Sequence, residues 1–296
     1  MNAWMDWGIE VILWLQQFRP ALDVPFEIIT ATGDEPFLML LLPVLYWCLD
    51  RKLGARMLIL FLISTCANMG AKLAADQPRP RLYDSRVWAY SDVGGTGGFP
   101  SNHTQNSVIL WGYLGAQLRR RWLWVLGGAL MLLTPLSRLY LGVHFPHDLF
   151  GGYLLGALLL GAYLIWEPGL EKDWEKLKLT WRLGIITTAA ILLALLLPTE
   201  EGVAAAAVLW GGGSGFVLER RWVGFESAGT WQQRALRLFL GHAVLLGIRF
   251  GLRAAFEGLE PLLVFRFIRY TLIGFWAGMG APWAFVKAGL ATKAHP

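Results

Sequence analysis

Apolar runs at about 35–50, 53–75, 101–119, 122–141, 148–166, 183–198, 203–219, 235–256 and 262–288 leave this chain little choice of fold. Each is at or near the roughly 20 residues that a helix needs to cross a hydrocarbon core about 30 Å thick. Within lipid the backbone must satisfy its own hydrogen bonds, and a helix does so inside a single segment. An all-α integral membrane protein is therefore expected. Hydrophobic residues make up 55% of the 296 and charged residues 16%, with a mean hydropathy of +0.46, which excludes an ordinary soluble domain. Many of the sixteen tryptophans, among them Trp122, Trp124, Trp166, Trp181 and Trp222, stand near run ends, as in an aromatic belt at the headgroups.

Charge sorts the turns between runs. Arg51, Lys52 and Arg56, then Arg119 to Arg121, then Lys172, Lys176, Lys178 and Arg182, then Arg220 and Arg221, fall at every second turn, so those turns are expected on the cytoplasmic side. The alternate turns, 76–100, 142–147, 199–202 and 257–261, then face outward. Lys72, Arg79, Arg81 and Arg86 break the pattern, and basic residues that do so beside a span call for a function. The net charge of +5 reports topology and an anionic lipid or substrate, not nucleic acid. Before Arg19 there is no basic residue, so a cleavable signal peptide is not expected. Cys48 and Cys66 lie in apolar runs and suggest neither a disulfide framework nor a metal site.

Residues 1–34 read as an interfacial or re-entrant N-terminal helical segment, 35–166 as a core, 167–182 as a charged connector looping at the surface, and 183–296 as additional transmembrane helices. Gly211-Gly212-Gly213-Ser214-Gly215 lacks the Lys-Ser/Thr of a phosphate loop and reads as a close helix contact.

Polar residues of catalytic type cluster at three places on the outward side. In Lys72 to Pro80, a helix tail bent by Pro78 and Pro80 is expected to aim Lys72 and Arg79 at one anion, with pairing of Lys72 to Asp76 as the plainer alternative. In Pro100 to Gln105, after the glycines 94, 95, 97 and 98, Ser101 or Asn102 is expected to cap a helix that carries His103 in its first turn. In Ser137 to Asp148, Pro146 suits the first turn of a helix. His144 then lies just before that helix and Asp148 within it, so that the carboxylate can orient the imidazole. Arg138 supplies a planar fork for phosphate oxygens, and His147 lacks an obvious partner. Five cationic or potentially cationic groups with one carboxylate suit a multiply charged anion, and no carboxylate cluster is spaced for Mg²⁺.

The three stretches read KxxxxxxRP, PSNH and SRxxxxxHxxxD, and in this the chain resembles the phosphatidic acid phosphatase type 2 superfamily, in its membrane lipid phosphatase branch, over roughly residues 35–166. The resemblance implies a helical bundle with a six-helix phosphatase-like core, to which the remaining apolar runs, outside the resemblance, add extra C-terminal transmembrane helices. It further implies a metal-independent phosphatase, without cofactor, that acts on a lipid phosphate in the bilayer. His144 would be the nucleophile that becomes a phosphohistidine, Asp148 its orienting carboxylate and His103 the acid. Lys72, Arg79, Ser101, Asn102 and Arg138 would bind the phosphate, Asn102 through its backbone N–H. Asn102 stands where the family has glycine, so its backbone conformation decides whether that bond survives.

Undecaprenyl pyrophosphate or a phosphatidate-type lipid is the favoured substrate, with sphingosine-1-phosphate a further choice, in a bacterial inner membrane with the site facing outward. A phosphotransferase that passes the phosphoryl group to a lipid or sugar is the rival enzyme. A lipid or anion transporter using Arg249, Arg253, Arg266 and Arg269 is the rival of another class, unless those arginines snorkel or pair with Glu257 and Glu260. No oligomeric state is legible.

Overall fold

The computed structural model of the protein describes residues 3–91, 97–258 and 262–293, and among these every extended element is a helix. In chain order they are α1 (Ala3–Gln16), α2 (Asp23–Ala31), α3 (Glu35–Val44), α4 (Arg51–Ala75), α5 (Pro80–Tyr83), α6 (Asn102–Leu118), α7 (Arg121–Tyr140), α8 (Pro146–Lys176), α9 (Leu179–Leu196), α10 (Glu200–Trp222), α11 (Trp231–Ala255), α12 (Leu263–Phe275) and α13 (Ala281–Lys287). Wide, π-helical turns continue α3 at Leu45–Leu49 and α12 at Trp276–Gly280. Among the described residues six stretches, Arg51–Tyr83, α7, α8, α9, α10 and α11, are long and apolar enough to cross a membrane. Asp23–Ala31 with Glu35–Leu49, bent by 48°, makes a seventh if the pair is one span. The protein is an all-α integral membrane protein.

Two compact units are present: Met1–Leu38 with Ile63–Trp166, and Met39–Leu62 with Glu167–Pro296. In the first, buried residues immediately flanking His144 belong to two apolar clusters. Val143 packs with Phe26, Tyr140 and Leu141, and Phe145 with Met5, Ile9, Ile12 and Val87. The loop between α7 and α8 is thus gripped on either side of the histidine. The Gln16 side chain supports it from below, donating to the carbonyls of Trp88 (2.8 Å) and Tyr140 (2.9 Å) and accepting from Trp88 N–H. Between α4 and α6 a buried polar ladder is paired internally: Ser64 donates to Asn106 Oδ1 (3.0 Å), Asn68 to Gln105 Oε1 (2.8 Å), and Gln105 back to Ser64 Oγ (2.7 Å). Such bonds hold two helices in fixed register where water cannot compete.

The second unit contains the glycine run in α10, which serves the close packing expected of it. A methyl group on Gly211 would lie 2.1 Å from the Thr271 carbonyl of α12, and one on Gly274 would lie 2.7 Å from Gly212 N. Residues 167–182, expected as a loop, are helical instead: α8 runs on to Lys176 and α9 starts at Leu179. Glu167, Glu171 and Glu175 recur every four residues and so share a helix face. Arg56 pairs with Glu167 (2.7 Å) and Glu171, Lys52 with Glu171 (3.1 Å), and Arg220 with Glu175 (3.1 Å). The expected partners of the C-terminal arginines also change. Arg266 pairs with Glu200, and Arg249 donates to Met39 Sδ (3.5 Å), while Glu260 lies outside the described residues.

Candidate active site

The α7–α8 loop folds as its sequence dictates. α7 closes at Tyr140, Gly142 takes a left-handed φ of 68°, and a side chain there would collide with the Trp88 carbonyl, 2.0 Å from the Cβ position. α8 starts at Pro146. Asp148, in its first turn, reaches back: Oδ2 accepts from Phe145 N–H (2.8 Å) and lies 3.1 Å from His144 Nδ1. Both side chains are buried, His144 at 2% exposure and Asp148 at 0%. With Nδ1 held by the carboxylate, Nε2 is the nitrogen left for chemistry.

Around this pair stand the other residues expected at the site. Arg79 donates to the Val143 carbonyl (3.0 Å), placing its guanidinium beside the His144 loop. It does not arrive on a helix tail. α4 stops at Ala75, Asp76 takes φ 42°, and Gln77-Pro78-Arg79-Pro80 runs on to α5, with Arg79 itself extended at φ −84°, ψ 159°. Residues before proline are pushed out of the helical region, which explains the break. Lys72, in the last turn of α4, comes close enough to act electrostatically on His144, as do Arg138, Arg79 and His103. Burial and then these positive charges hold the His144 imidazole well below its ordinary 6.5, so it is neutral at neutral pH.

Ser101 caps α6, its Oγ accepting from Thr104 N–H at 3.4 Å. Its own N–H donates to the Asp148 carbonyl (2.9 Å), which ties the start of α6 to the start of α8. Asn102 is the first residue of α6, where an N–H has no carbonyl a turn back to bind. It is not among the residues with positive φ, so asparagine occupies the position without backbone strain. His103 follows in the first turn, with Nε2 2.8 Å from Asp34 Oδ1. Arg138 is 8% exposed and donates to Thr30 Oγ1 (2.6 Å), while its buried Nε has no hydrogen-bond partner. Ser137 turns away, donating to the Thr134 carbonyl (2.6 Å).

All eight residues expected to catalyse or bind thus lie in one unit about His144. Arg81 and Arg86 do not join them. The first donates to the Val87 carbonyl (2.7 Å), and the second pairs with Asp84 and Glu10. The expectation that His147 lacks a partner is corrected: its Nε2 lies 2.9 Å from Gln77 Oε1 and 3.3 Å from Asp148 Oδ1, and its ring stacks on Phe145. Two residues went unread in the sequence, Thr30 and Asp34, which meet Arg138 and His103. Of the outer-loop glycines, Gly94 and Gly95 lie outside the described residues, whereas Gly98 N–H donates to the Gln77 carbonyl (2.8 Å).

A helical membrane protein with a buried, carboxylate-oriented histidine among fixed cations is the class that this fold and site define. Two family models match the chain, the PAP2 superfamily over residues 53–172 and the PAP2 superfamily phosphatase transmembrane extension over 203–293. Together they cover more than half of it, and the chain belongs to the PAP2 superfamily. The C-terminal helices, read from sequence as outside the resemblance, match that extension.

The chain is similar to lipid phosphate phosphatase delta of Arabidopsis thaliana, 29% identical over 55% of this chain and 43% of the relative. It is also similar to an undecaprenyl-diphosphatase of Sulfolobus acidocaldarius, 30% identical over 36% and 52%, and to human sphingosine-1-phosphate phosphatase 2, 29% identical over 46% and 35%. The chain spans about half the length, or less, of these curated relatives. Among solved structures, a transmembrane PAP2-type phosphatidylglycerolphosphate phosphatase from Bacillus subtilis is 23% identical with a TM-score of 0.46, over 60% of this chain and 90% of that one.

Proposed function

We propose that the protein is a membrane lipid phosphatase that hydrolyses a lipid phosphate monoester or a prenyl pyrophosphate through a phosphohistidine on His144. One observation carries this reading: the buried His144 has Nδ1 3.1 Å from Asp148 Oδ2 and stands among the cations Lys72, Arg79 and Arg138. A binding protein would require the cations but not an oriented nucleophile.

In the first half-reaction the His144 Nε2 lone pair attacks phosphorus. The bond to the lipid oxygen breaks, and that oxygen takes both electrons and a proton from His103. Lys72, Arg79, the Arg138 fork, the Ser101 hydroxyl and the Asn102 N–H neutralise and hold the phosphoryl oxygens. Asp148 steadies the positive charge that grows on the His144 ring. In the second half, water attacks the phosphohistidine, His103 takes the proton, and the P–N electron pair returns to His144. Fixed cations take the part a metal plays elsewhere; no group of three or more His, Cys, Asp or Glu side chains among the described residues is arranged to hold one.

The names of relatives that act on lipid phosphates, undecaprenyl diphosphate and phosphatidylglycerophosphate support a lipid leaving group, with undecaprenyl pyrophosphate or phosphatidate as first choices. The alternation of basic turns supports a site on the outer, extracytoplasmic face of a bacterial inner membrane. On this reading residues 1–34 lie in the interface, with Trp4, Trp7 and Trp14 exposed towards the headgroups; 35–166 form the phosphatase core, 167–182 the charged connector and 183–296 the added transmembrane helices.

Phosphate release from a panel of lipid phosphates in detergent with EDTA tests the reading. The natural chain is expected to release phosphate, and His144→Ala to fall by at least about 1,000-fold. Equal release by the two proteins overturns the phosphohistidine, and loss of activity on chelation overturns the metal-free mechanism. Phosphorylated acceptor in place of free phosphate would mark a transferase.

A further inference from the structure

The turn between α2 and α3 touches the site at three points. Asp34 Oδ1 lies 2.8 Å from His103 Nε2, and Thr30 Oγ1 accepts from Arg138 at 2.6 Å. Gly33 presses on the imidazole so closely that a methyl group there would stand 2.7 Å from His103 Cδ2. The turn is built to hold this pose: Gly33 N–H donates to the Thr30 carbonyl (2.9 Å), Asp34 N–H to Ala31 (3.2 Å), and the Thr32 hydroxyl to Ile29 (2.7 Å). Below it, Asp23 accepts from the Tyr140 hydroxyl (2.5 Å) and from Arg19 (3.1 Å), whose guanidinium lies 3.3 Å from the Trp88 ring centroid.

We infer that Asp34 is a positioning residue for the acid of the reaction, forming with His103 a second histidine–carboxylate pair that makes the α2–α3 turn part of the active site. This rests on the proposed function. The groups that face His103 are Arg138 from α7, Lys72 from α4, His144 from the α7–α8 loop and Asp34 from the α2–α3 turn. Burial first, and then the two permanent cations, disfavour an imidazolium, yet an acid must carry the proton when the substrate arrives. Asp34 is the carboxylate hydrogen-bonded to that ring. It favours the charged form, and it fixes the tautomer as a triad carboxylate does. With Nε2–H donated to Asp34, Nδ1–H faces the leaving group. As His144 Nε2 forms the P–N bond, the lipid oxygen takes the electrons of the P–O bond and the Nδ1 proton. The N–H electron pair stays on the ring, which is left neutral with its Nε2–H still on Asp34.

The test uses the purified full chain in detergent, with dioleoyl phosphatidate, whose alkoxide must be protonated to leave, and p-nitrophenyl phosphate, whose phenolate leaves without help. On phosphatidate, Asp34→Asn is expected to lower kcat about 10- to 100-fold with KM little changed. The alkaline limb of its pH profile moves to lower pH, because the imidazolium has lost its counter-charge. The defect on p-nitrophenyl phosphate stays within about threefold, and Asp34→Glu recovers part of the loss. An Asp34→Asn protein that matches the natural chain on phosphatidate overturns the inference. So does an equal defect on both substrates with an unshifted pH profile, which marks a structural role. Titration of the His103 imidazole by NMR, assigned with His103→Gln, separates the two proposals. A fall in its midpoint in Asp34→Asn supports the pair even where the natural chain releases no phosphate, an outcome that would sink the hydrolase reading alone; an unmoved midpoint overturns the pair.

Discussion

Two buried arginines, one in each unit, show how differently a membrane protein can use the same side chain. Arg237, at 0% exposure, is saturated: Nε donates to the Leu290 carbonyl (2.8 Å), one terminal nitrogen to Trp47 (3.0 Å) and Ser227 (2.7 Å), and the other to Ala228 (2.6 Å). Arg138, almost as buried, meets Thr30 Oγ1 and leaves its Nε without a hydrogen-bond partner. Desolvating a guanidinium is tolerated where carbonyls replace water at its donors, as around Arg237. Around Arg138 the replacement is incomplete, and a phosphate would complete it. The second unit repeats the lesson with a carboxylate. Glu219 accepts from Tyr46 (3.1 Å) and from Phe225 N–H (2.6 Å), so its buried charge is committed to the fold. Arg237 and Glu219 are committed to the fold, whereas Arg138 keeps a donor among the groups around His144.

The largest effect that could break this contrast is on activity. Arg138→Ala is expected to cost about 100- to 1,000-fold in kcat/KM on phosphatidate, as loss of a preorganised donor does elsewhere, while thermal unfolding in detergent changes little. If Arg138→Ala instead unfolds the protein, the distinction collapses. Arg237→Ala is expected to behave in the opposite way. It strands carbonyls that its guanidinium satisfied and should lower stability by about 3 kcal/mol or more, with the kcat of surviving folded protein near that of the natural chain. A variant that folds normally but is inactive would show that the second unit takes a direct part in the chemistry.

Smaller effects sharpen the picture. Because His144 titrates well below 6.5, kcat/KM should hold as pH falls through 6.5 and decline only at lower pH. Removing a nearby cation stabilises the imidazolium and raises its pKa, so Arg79→Ala should move that acid limb upward in addition to weakening binding; a limb that moves down contradicts the electrostatic account. Glu171→Gln, in a partly exposed network, should cost only about 0.5–1 kcal/mol and leave the pH profile unchanged.

Much of the site was legible because its information is local or lies in fixed spacings. Pro146 announced the start of α8, whose first turn brings Asp148 back to His144. Ser101 announced a cap, and the glycines of α10 announced a close contact. Residues whose role depends on which helix lies alongside gave no such sign. Asp34 lies 69 positions from His103 in a turn that resembles any polar break between apolar runs. Arg237 carries no such sign either, since nothing in a sequence tells which carbonyls will point at it. The connector was misread for a different reason. Its density of charge resembles a surface loop and masks the four-residue spacing of its glutamates, which is a helix signal once basic partners stand opposite.

The bond from Ser101 N–H to the Asp148 carbonyl has a consequence for how such a site can change over time. It joins the segment bearing His103 to the helix bearing Asp148, and neither end of it is a side chain. Nearly any residue at position 101 or 148 keeps it; only proline at 101 removes the donor. The side chains proposed to bind phosphate can therefore be exchanged one by one without breaking the link between the segments that carry the two histidines. The reacting frame is written in the backbone, and specificity is left to drift in the side chains around it.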